Sequence, residues 1–338
     1  MIIEPGYLAL YRSGELEKRA IALEARLAEC DICPRECGKD RLNGKTGHCE
    51  TGALAIVSSV CAHHGEEPAL SGTRGSGAIF FANCNMRCVY CQNYQISQRP
   101  VAKSGNAVET RVLAEKMLYL QNELGCHNIN LVTPSHVVPQ IVRAVFEAVK
   151  GGLHLPLVYN TSSYDSLKTL REIDGIIDIY LADLRYASNE YGRKYSHARG
   201  YVDAARAAIK EMYRQVGNLQ VDSEDIAQKG LIVRHLILPG GIAGSEESLT
   251  WLAKKISPEV TVSIMSQYYP AHKAAGRKYP ELGRKITYEE YKEATDLLEK
   301  LGMENGWTQE MESAETYRPD FSADEPFDDK RKRRRRER

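Results

Sequence analysis

Seven of the nine cysteines in this chain fall in two short stretches. The tighter one reads Cys84-Asn-Met-Arg-Cys88-Val-Tyr-Cys91, with three residues and then two between the thiols. Three thiolates so spaced can hold three irons of a cubane cluster. No fourth cysteine follows nearby, which leaves one iron open. An open position separates a metal site that does chemistry from one that is only structural. A structural zinc or an ordinary electron-transfer cluster would need a fourth protein ligand, which Cys126 or a distant histidine could supply. The second stretch places Cys30, Cys33, Cys37 and Cys49 within twenty residues, with Gly38, Gly44 and Gly47 for tight turns between them. Four thiolates suit a closed tetrahedral zinc site and equally an auxiliary iron–sulfur cluster; the spacing does not choose. Cys61 and Cys126 stand apart and are expected to be buried or incidental.

The elements around these cysteines set where they sit. Short apolar runs at Gly77–Ala82, Asn128–Val132, Leu155–Asn160, Ile176–Asp183, Leu231–Leu238 and Thr261–Gln267 read as strands. Helix-period segments at about 109–124, 138–150, 163–173, 202–216, 245–256 and 287–301 alternate with them. Ser163, Ser245 and the Thr287/Glu290 pair give helix starts, and Gly125, Gly151 and Gly217 give stops. Strict alternation predicts a parallel sheet with helices outside. Six units are too few for a closed eight-fold barrel, so the expected fold is α/β, a partial (βα)6 barrel whose active face lies at the carboxyl ends of the strands. Cys84 follows the first of those strands directly. Residues 1–75 are expected to form an N-terminal helix (about 6–29) and a cysteine-rich metal-binding segment, 76–303 the barrel, and 304–338 an extension, with disorder over 319–338.

At 338 residues and 43% hydrophobic, the chain can build a full core. It shows no secretory signal pattern and no run near the ~18–20 apolar residues of a membrane span, so a soluble, cytoplasmic protein with no membrane association is expected. Clustered thiols in a reducing compartment point to metal rather than disulfides. The net charge is zero, but Lys330–Arg338 carries eight basic residues and one acidic, which leaves the body at −7. That body is not a nucleic-acid-binding composition; the tail reads as a solvated run, with an acidic partner, lipid or nucleic acid as the alternative.

Cysteines spaced three-then-two with Tyr90 before the last resemble the S-adenosylmethionine radical superfamily, whose fold is also a partial barrel. The stretch from Gly75 through Cys91-Gln-Asn93 is similar to the activating enzymes of pyruvate formate-lyase. Together with Cys30-Asp-Ile-Cys33-Pro-Arg-Glu-Cys37, it resembles an uncharacterised branch related to those activators, over about residues 30–270. The resemblance implies a [4Fe–4S] cluster on Cys84, Cys88 and Cys91. It implies that the open iron chelates S-adenosylmethionine, and that reductive cleavage yields a 5′-deoxyadenosyl radical. It places Tyr90 beside the adenine. Asn83, Arg87 and Asn93 flank the loop, where each could meet a cluster sulfide or cap the turn. Where activators carry Gly-Gly-Glu, this chain reads Val132-Thr133-Pro134-Ser135-His136, leaving the Thr133 or Ser135 hydroxyl to accept from the cofactor's ammonium, or the stretch to act as a helix-capping turn. Asn160-Thr161 falls near the expected carboxylate or ribose. Asp183-Leu-Arg185 resembles the family's Asp-Leu-Lys and reads alternatively as an internal ion pair. Arg234 is expected to face the cofactor. His235 reads as a packed histidine, though placed with Asp183, Arg185 and Gln267 around the substrate mouth; Gln267 and Tyr268 line that mouth or simply end a strand.

The implied activity is oxidoreductase chemistry that installs a glycyl radical on a partner enzyme, with flavodoxin or ferredoxin as reductant. Radical modification of a peptide or small molecule is the second reading, and a metal-stapled nucleic-acid-binding module the third.

Overall fold

The computed structural model describes residues 3–98, 106–311, 313, 319–321 and 326–327. The strands are β1 (Ala55–His63), β2 (Ser76–Phe81), β3 (Asn106–Val108), β4 (Ile129–Val132), β5 (Leu157–Thr161), β6 (Ile179–Asp183), β7 (Gln220–Val221), β8 (Ala227–Leu236), β9 (Thr261–Met265) and β10 (Gly306–Thr308). The helices are α1 (Gly6–Arg12), α2 (Glu15–Ala25), α3 (Pro68–Ser71), α4 (Tyr94–Ser97), α5 (Thr110–Asn122), α6 (Val138–Lys150), α7 (Leu167–Glu172), α8 (Asn189–Ser196), α9 (Tyr201–Val216), α10 (Ser245–Lys255) and α11 (Tyr288–Lys300).

All six expected strands form, and they pair in parallel in the order β2-β4-β5-β6-β8-β9. Five of the six are buried along their whole length, as strands covered on both faces must be. Alternation divides their side chains into two sets. Ile79, Leu131, Tyr159, Tyr180, Val233 and Ile264 join the large core under the helices. Phe80, Val132, Val158, Leu181 and Ile232 point to the other face, which the sheet curls around. Residues from β1 to β10 line a single cavity on that concave side, so the sheet is an open, mixed α/β barrel wall that is largely parallel.

The sheet is wider than the expected six strands. β1 pairs antiparallel with β2 and carries β3 on its outer edge, so the segment before residue 76 contributes to the wall. β10 adds in parallel to β9. The expected loss of order after 304 is therefore not complete. Phe321 and Phe327 stack on Phe80 at ring-centroid distances of 5.4 and 5.1 Å, because apolar rings in an otherwise charged segment find an apolar floor there. Lys330–Arg338 lies outside the described residues.

Three local differences have local causes. The single helix expected over 6–29 is two, α1 and α2, broken where Gly14 takes φ 74°. On α2, Leu16, Ala20 and Leu23 recur on one face and pack on α6. The helix expected from 163 starts only at Leu167, since Asp165 accepts hydrogen bonds from Tyr159 and Thr161 and holds 161–166 in a turn. Ser245 opens α10 without capping it; Gly244 is the cap residue and the Ser245 hydroxyl bonds His235 instead. The Thr287/Glu290 capping box forms as expected. Among the described residues no helix is long and apolar enough to cross a membrane.

His235 is fully buried, its Nδ1 2.8 Å from the Leu184 carbonyl and its Nε2 2.9 Å from Ser245 Oγ. Burial pulls its pKa down to about 4, against the raising effect of the carbonyl. The unfolded chain takes up this proton near pH 6.5 while the folded one refuses it. Its contribution to stability is thus complete above pH 6.5 and is lost as pH falls towards 4. A His235→Gln variant should lose about 2 kcal/mol less stability between pH 7 and pH 5 than the parent, measured by urea unfolding at each pH. Parallel pH profiles for the two proteins would contradict this.

Candidate functional site

The cysteine loop begins where β2 ends. Asn83, at φ 67°, turns the chain sharply and donates to Glu50 O and Thr51 Oγ1. Asn85 donates to Tyr164 O at 2.7 Å. The backbone N–H groups of Arg87 and Val89 donate to the carbonyls of Ser196 and Tyr195, so the end of α8 braces the loop. The Arg87 guanidinium bonds His48 O and pairs with Glu50. Asn83 and Arg87 thus fix the loop to the N-terminal segment.

Each of the three loop sulfurs has a hydrogen-bonding neighbour, and Cys84 has a second in Asn85 Oδ1 at 3.9 Å. Met86 N donates to Cys84 Sγ at 3.3 Å, Ser196 Oγ to Cys88 Sγ at 3.0 Å, and Ser97 Oγ lies 3.2 Å from Cys91 Sγ. Behind Ser196 stands a chain of hydroxyls: Tyr186 Oη lies 2.7 Å from Ser196 Oγ and 2.6 Å from Tyr90 Oη. Burial and the neighbouring cysteines push the Cys84 thiol well up, and burial lifts Cys91 to about 11. Thiols in such surroundings stay protonated until a metal takes them, whereupon donors to sulfur stabilise the bound thiolates. Among the described residues no three or more His, Cys, Asp or Glu side chains stand at the spacing of ligands around one ion. In a cubane each thiolate meets a different iron, so its ligand sulfurs stand farther apart than those around a single ion.

All three cysteines open on the cavity of about 1650 Å³ inside the sheet. Tyr90, Asn93, Thr133, Asn160, Asp183, Arg185 and Arg234 line the same cavity, as do Gln267 and Tyr268. The strand register explains the convergence: Asp183 lies opposite Arg234, and Asn160 and Arg234 share its inward parity. Arg234 donates to Asp183 at 2.7 Å and to Asn160 at 2.7 Å, and pairs with Glu66 at 3.2 Å. Arg185 pairs with the second Asp183 oxygen at 2.5 Å. Its Nε is buried on the cavity wall with no hydrogen-bond partner.

Other expected residues point elsewhere. His235 follows inward-facing Arg234 and so faces α10, not the mouth. Ser135 bonds Thr161, and Thr161 bonds Asp165, so both are spent behind the wall; Thr133 and Asn160 alone of these reach the cavity. Cys126 packs near Gly77, at the start of β2, the end of the strand opposite Cys84. Cys61 lines the cavity from β1.

Sequence reasoning missed Glu66 and Glu67, which β1 and its return loop push into the cavity. Burial raises both carboxyls, against the lowering effect of Arg234. It missed Ser97, Ser196 and Tyr186 as well. Ser97 could have been suspected six residues beyond Cys91, but nothing local marks the other two.

The fold thus defines an α/β protein with a three-thiol loop at the carboxyl edge of a parallel sheet. The sequence profile of the Radical SAM superfamily matches residues 78–220, from within β2 to the start of β7. An uncharacterised protein of Methanocaldococcus jannaschii is 28% identical over 285 residues, covering 81% of this chain and 75% of its own. Among solved structures, Streptococcus suis SuiB bound to S-adenosylmethionine aligns over 69% of this chain at 11% identity and a TM-score of 0.45, and half of SuiB's own length is covered. TYW1 with a lysine-pyruvate adduct bound aligns over 68% of this chain and 74% of its own, at 14% identity and a TM-score of 0.39.

Arg234 is 15% exposed and serves two carboxylates and an amide. Replacing it with Met should leave Glu66 buried without its cation and Asp183 with only Arg185 of its two, and cost about 3–5 kcal/mol in denaturant unfolding. A loss under about 1 kcal/mol would mean that the network contributes little.

Proposed function

We propose that this chain is a radical S-adenosylmethionine enzyme, with a [4Fe–4S] cluster on Cys84, Cys88 and Cys91 and the cofactor in the adjoining cavity. One observation carries the reading: three thiols, each with a hydrogen-bonding neighbour, share a cavity with the unpartnered Nε of Arg185. When bound, such a cluster supplies the electron that cleaves the cofactor to a 5′-deoxyadenosyl radical.

The chain's own groups have distinct tasks. Arg185 offers a fixed cation to the methionine carboxylate, and its second face is held by Asp183. Asn160 and Thr133 present polar atoms on the same wall. The Tyr90 hydroxyl is spent on Tyr186 and its ring meets Tyr268 edge-on at 5.8 Å on the cavity wall, the surface we assign to the adenine. The Phe80 and Phe327 rings, 5.1 Å apart, give the cavity an apolar lining on one side.

The substrate we propose is a glycine C–H of a partner enzyme, with flavodoxin or ferredoxin as electron donor. This rests on the similarity of the Gly75–Asn93 segment to pyruvate formate-lyase activators. Radical modification of a peptide or small molecule is the second reading; it is favoured by Phe327 of the C-terminal segment, which lines the cavity and narrows the room for a large protein loop.

Single Cys84→Ala, Cys88→Ala or Cys91→Ala changes should abolish 5′-deoxyadenosine formation with dithionite and remove about four irons per chain. Product made by all three variants would sink the proposal. For the substrate, anaerobic incubation with candidate partners should give a glycyl radical doublet by electron paramagnetic resonance. If deuterium from a labelled peptide or small molecule enters 5′-deoxyadenosine instead, and no partner acquires a radical, the activase reading is replaced by the second.

A further inference from the structure

Arg41 is the largest fully buried side chain in the protein, at 1% exposure. A guanidinium cannot shed its charge, and a buried charge needs an opposite one. Its hydrogen bonds do not reach a carboxylate. Nε and Nη2 donate to Gly52 O at 3.1 and 2.9 Å, and Nη1 donates to His136 O at 2.9 Å. The remaining contact is Nη1 to Cys30 Sγ at 3.6 Å. Carbonyl dipoles satisfy the N–H groups but do not neutralise the cation, so among its hydrogen-bond partners the sulfur is the one that can carry a formal negative charge.

Cys30 is not alone. Its carbonyl accepts from Gly38 N at 3.0 Å and from Cys37 Sγ at 3.9 Å, which folds 30–38 back on itself. A Cβ on Gly47 would meet Cys37 Sγ at 2.5 Å, so a glycine is required there to bring the Cys49 strand of the knob against Cys37. Cys33 stands within electrostatic reach of Cys49, Cys30 and Cys37. Cys30, Cys33 and Cys49 are buried, and no cysteine among the described residues is in a disulfide.

We propose that Cys30, Cys33, Cys37 and Cys49 bind a metal centre as four thiolates and that Arg41 is its buried counter-ion. Four thiolates make a dianion around a four-iron cluster as they do around zinc, and a dianion in this knob is what the unpaired guanidinium fits; the four sulfurs do not stand at the spacing of ligands around one ion, which favours the cluster. The centre is closed, with every position taken by protein. Its place suggests what it supports: His48, Glu50 and Thr51 hold Arg87 and Asn83, while Cys49 and Cys84 line one cavity of about 160 Å³. The knob is the backing of the three-thiol loop.

The test uses the full chain and does not depend on catalysis. In a Cys84→Ala/Cys88→Ala/Cys91→Ala background, metal analysis and the visible spectrum should still show one zinc, colourless, or about four irons with broad absorbance, per folded chain. Should that variant fail to fold by circular dichroism, the wild-type protein answers the same question: it should hold a zinc, or about four irons, beyond its first cluster. Arg41→Met should raise the pH at which this metal is released by about one unit or more, as loss of a contacting guanidinium does for an anionic ligand. Arg41→Lys should restore part of the shift. No second metal, or release from Arg41→Met at the wild-type pH, overturns the proposal.

Discussion

Arg234 is the charge around which the inside of the sheet is organised. It sits on β8 opposite Asp183 on β6, reaches Asn160 on β5, and pairs with Glu66 on the loop that returns from the antiparallel strand β1. One guanidinium therefore ties both ends of a curved wall. Taking it out of water is worthwhile only because every face of the fork is met, and because Asp183 divides its two oxygens between Arg234 and Arg185. Arg185 is left with its buried Nε unpartnered. The interior is polar at the carboxyl ends of the strands and apolar below, where Val158, Leu181 and Ile232 fill the floor.

The two cysteine groups are positioned by different means. The three-thiol loop hangs from a strand end and is braced by α8 from one side and by residues 48–51 from the other. The N-terminal knob has almost no regular structure and is shaped by turns, by Gly47 and by the burial of Arg41. A segment so poor in helix and strand holds its form through the groups that its side chains meet. That is why its single buried cation says more about its contents than its backbone does.

Much of this was legible in the sequence for a physical reason: strands buried on both faces read as continuous apolar runs, so all six parallel strands announce themselves. The inward set was legible too. Once Arg234 faces the cavity, alternation sends His235 outward, so placing His235 at the substrate mouth as well runs against a rule available without coordinates. Glu66 and Glu67 were not legible, because they lie before the first strand–helix unit and reach the cavity through β1, whose mixed Ser, Cys and His residues hide its strand character. The break between α1 and α2 was written in Ser13-Gly14. Phe321 and Phe327 were overlooked because composition averages over a segment, whereas two rings are enough to anchor it.

The first helix is held by residues far along the chain. Gly6 N donates to Asp178, 172 residues later, Tyr7 donates to Leu155 O, and Arg19 reaches Asp174 O. At a synthesis rate of ~5–20 residues per second, Asp178 follows Gly6 out of the ribosome by roughly 9 to 34 s. Through most of that interval α1 has α2 but neither α6 nor Leu155 to dock on, and the thiols of the knob emerge with their supporting wall still unmade. The order of translation runs against the order of assembly here, so the N-terminal cysteines are the first to appear and among the last to be enclosed.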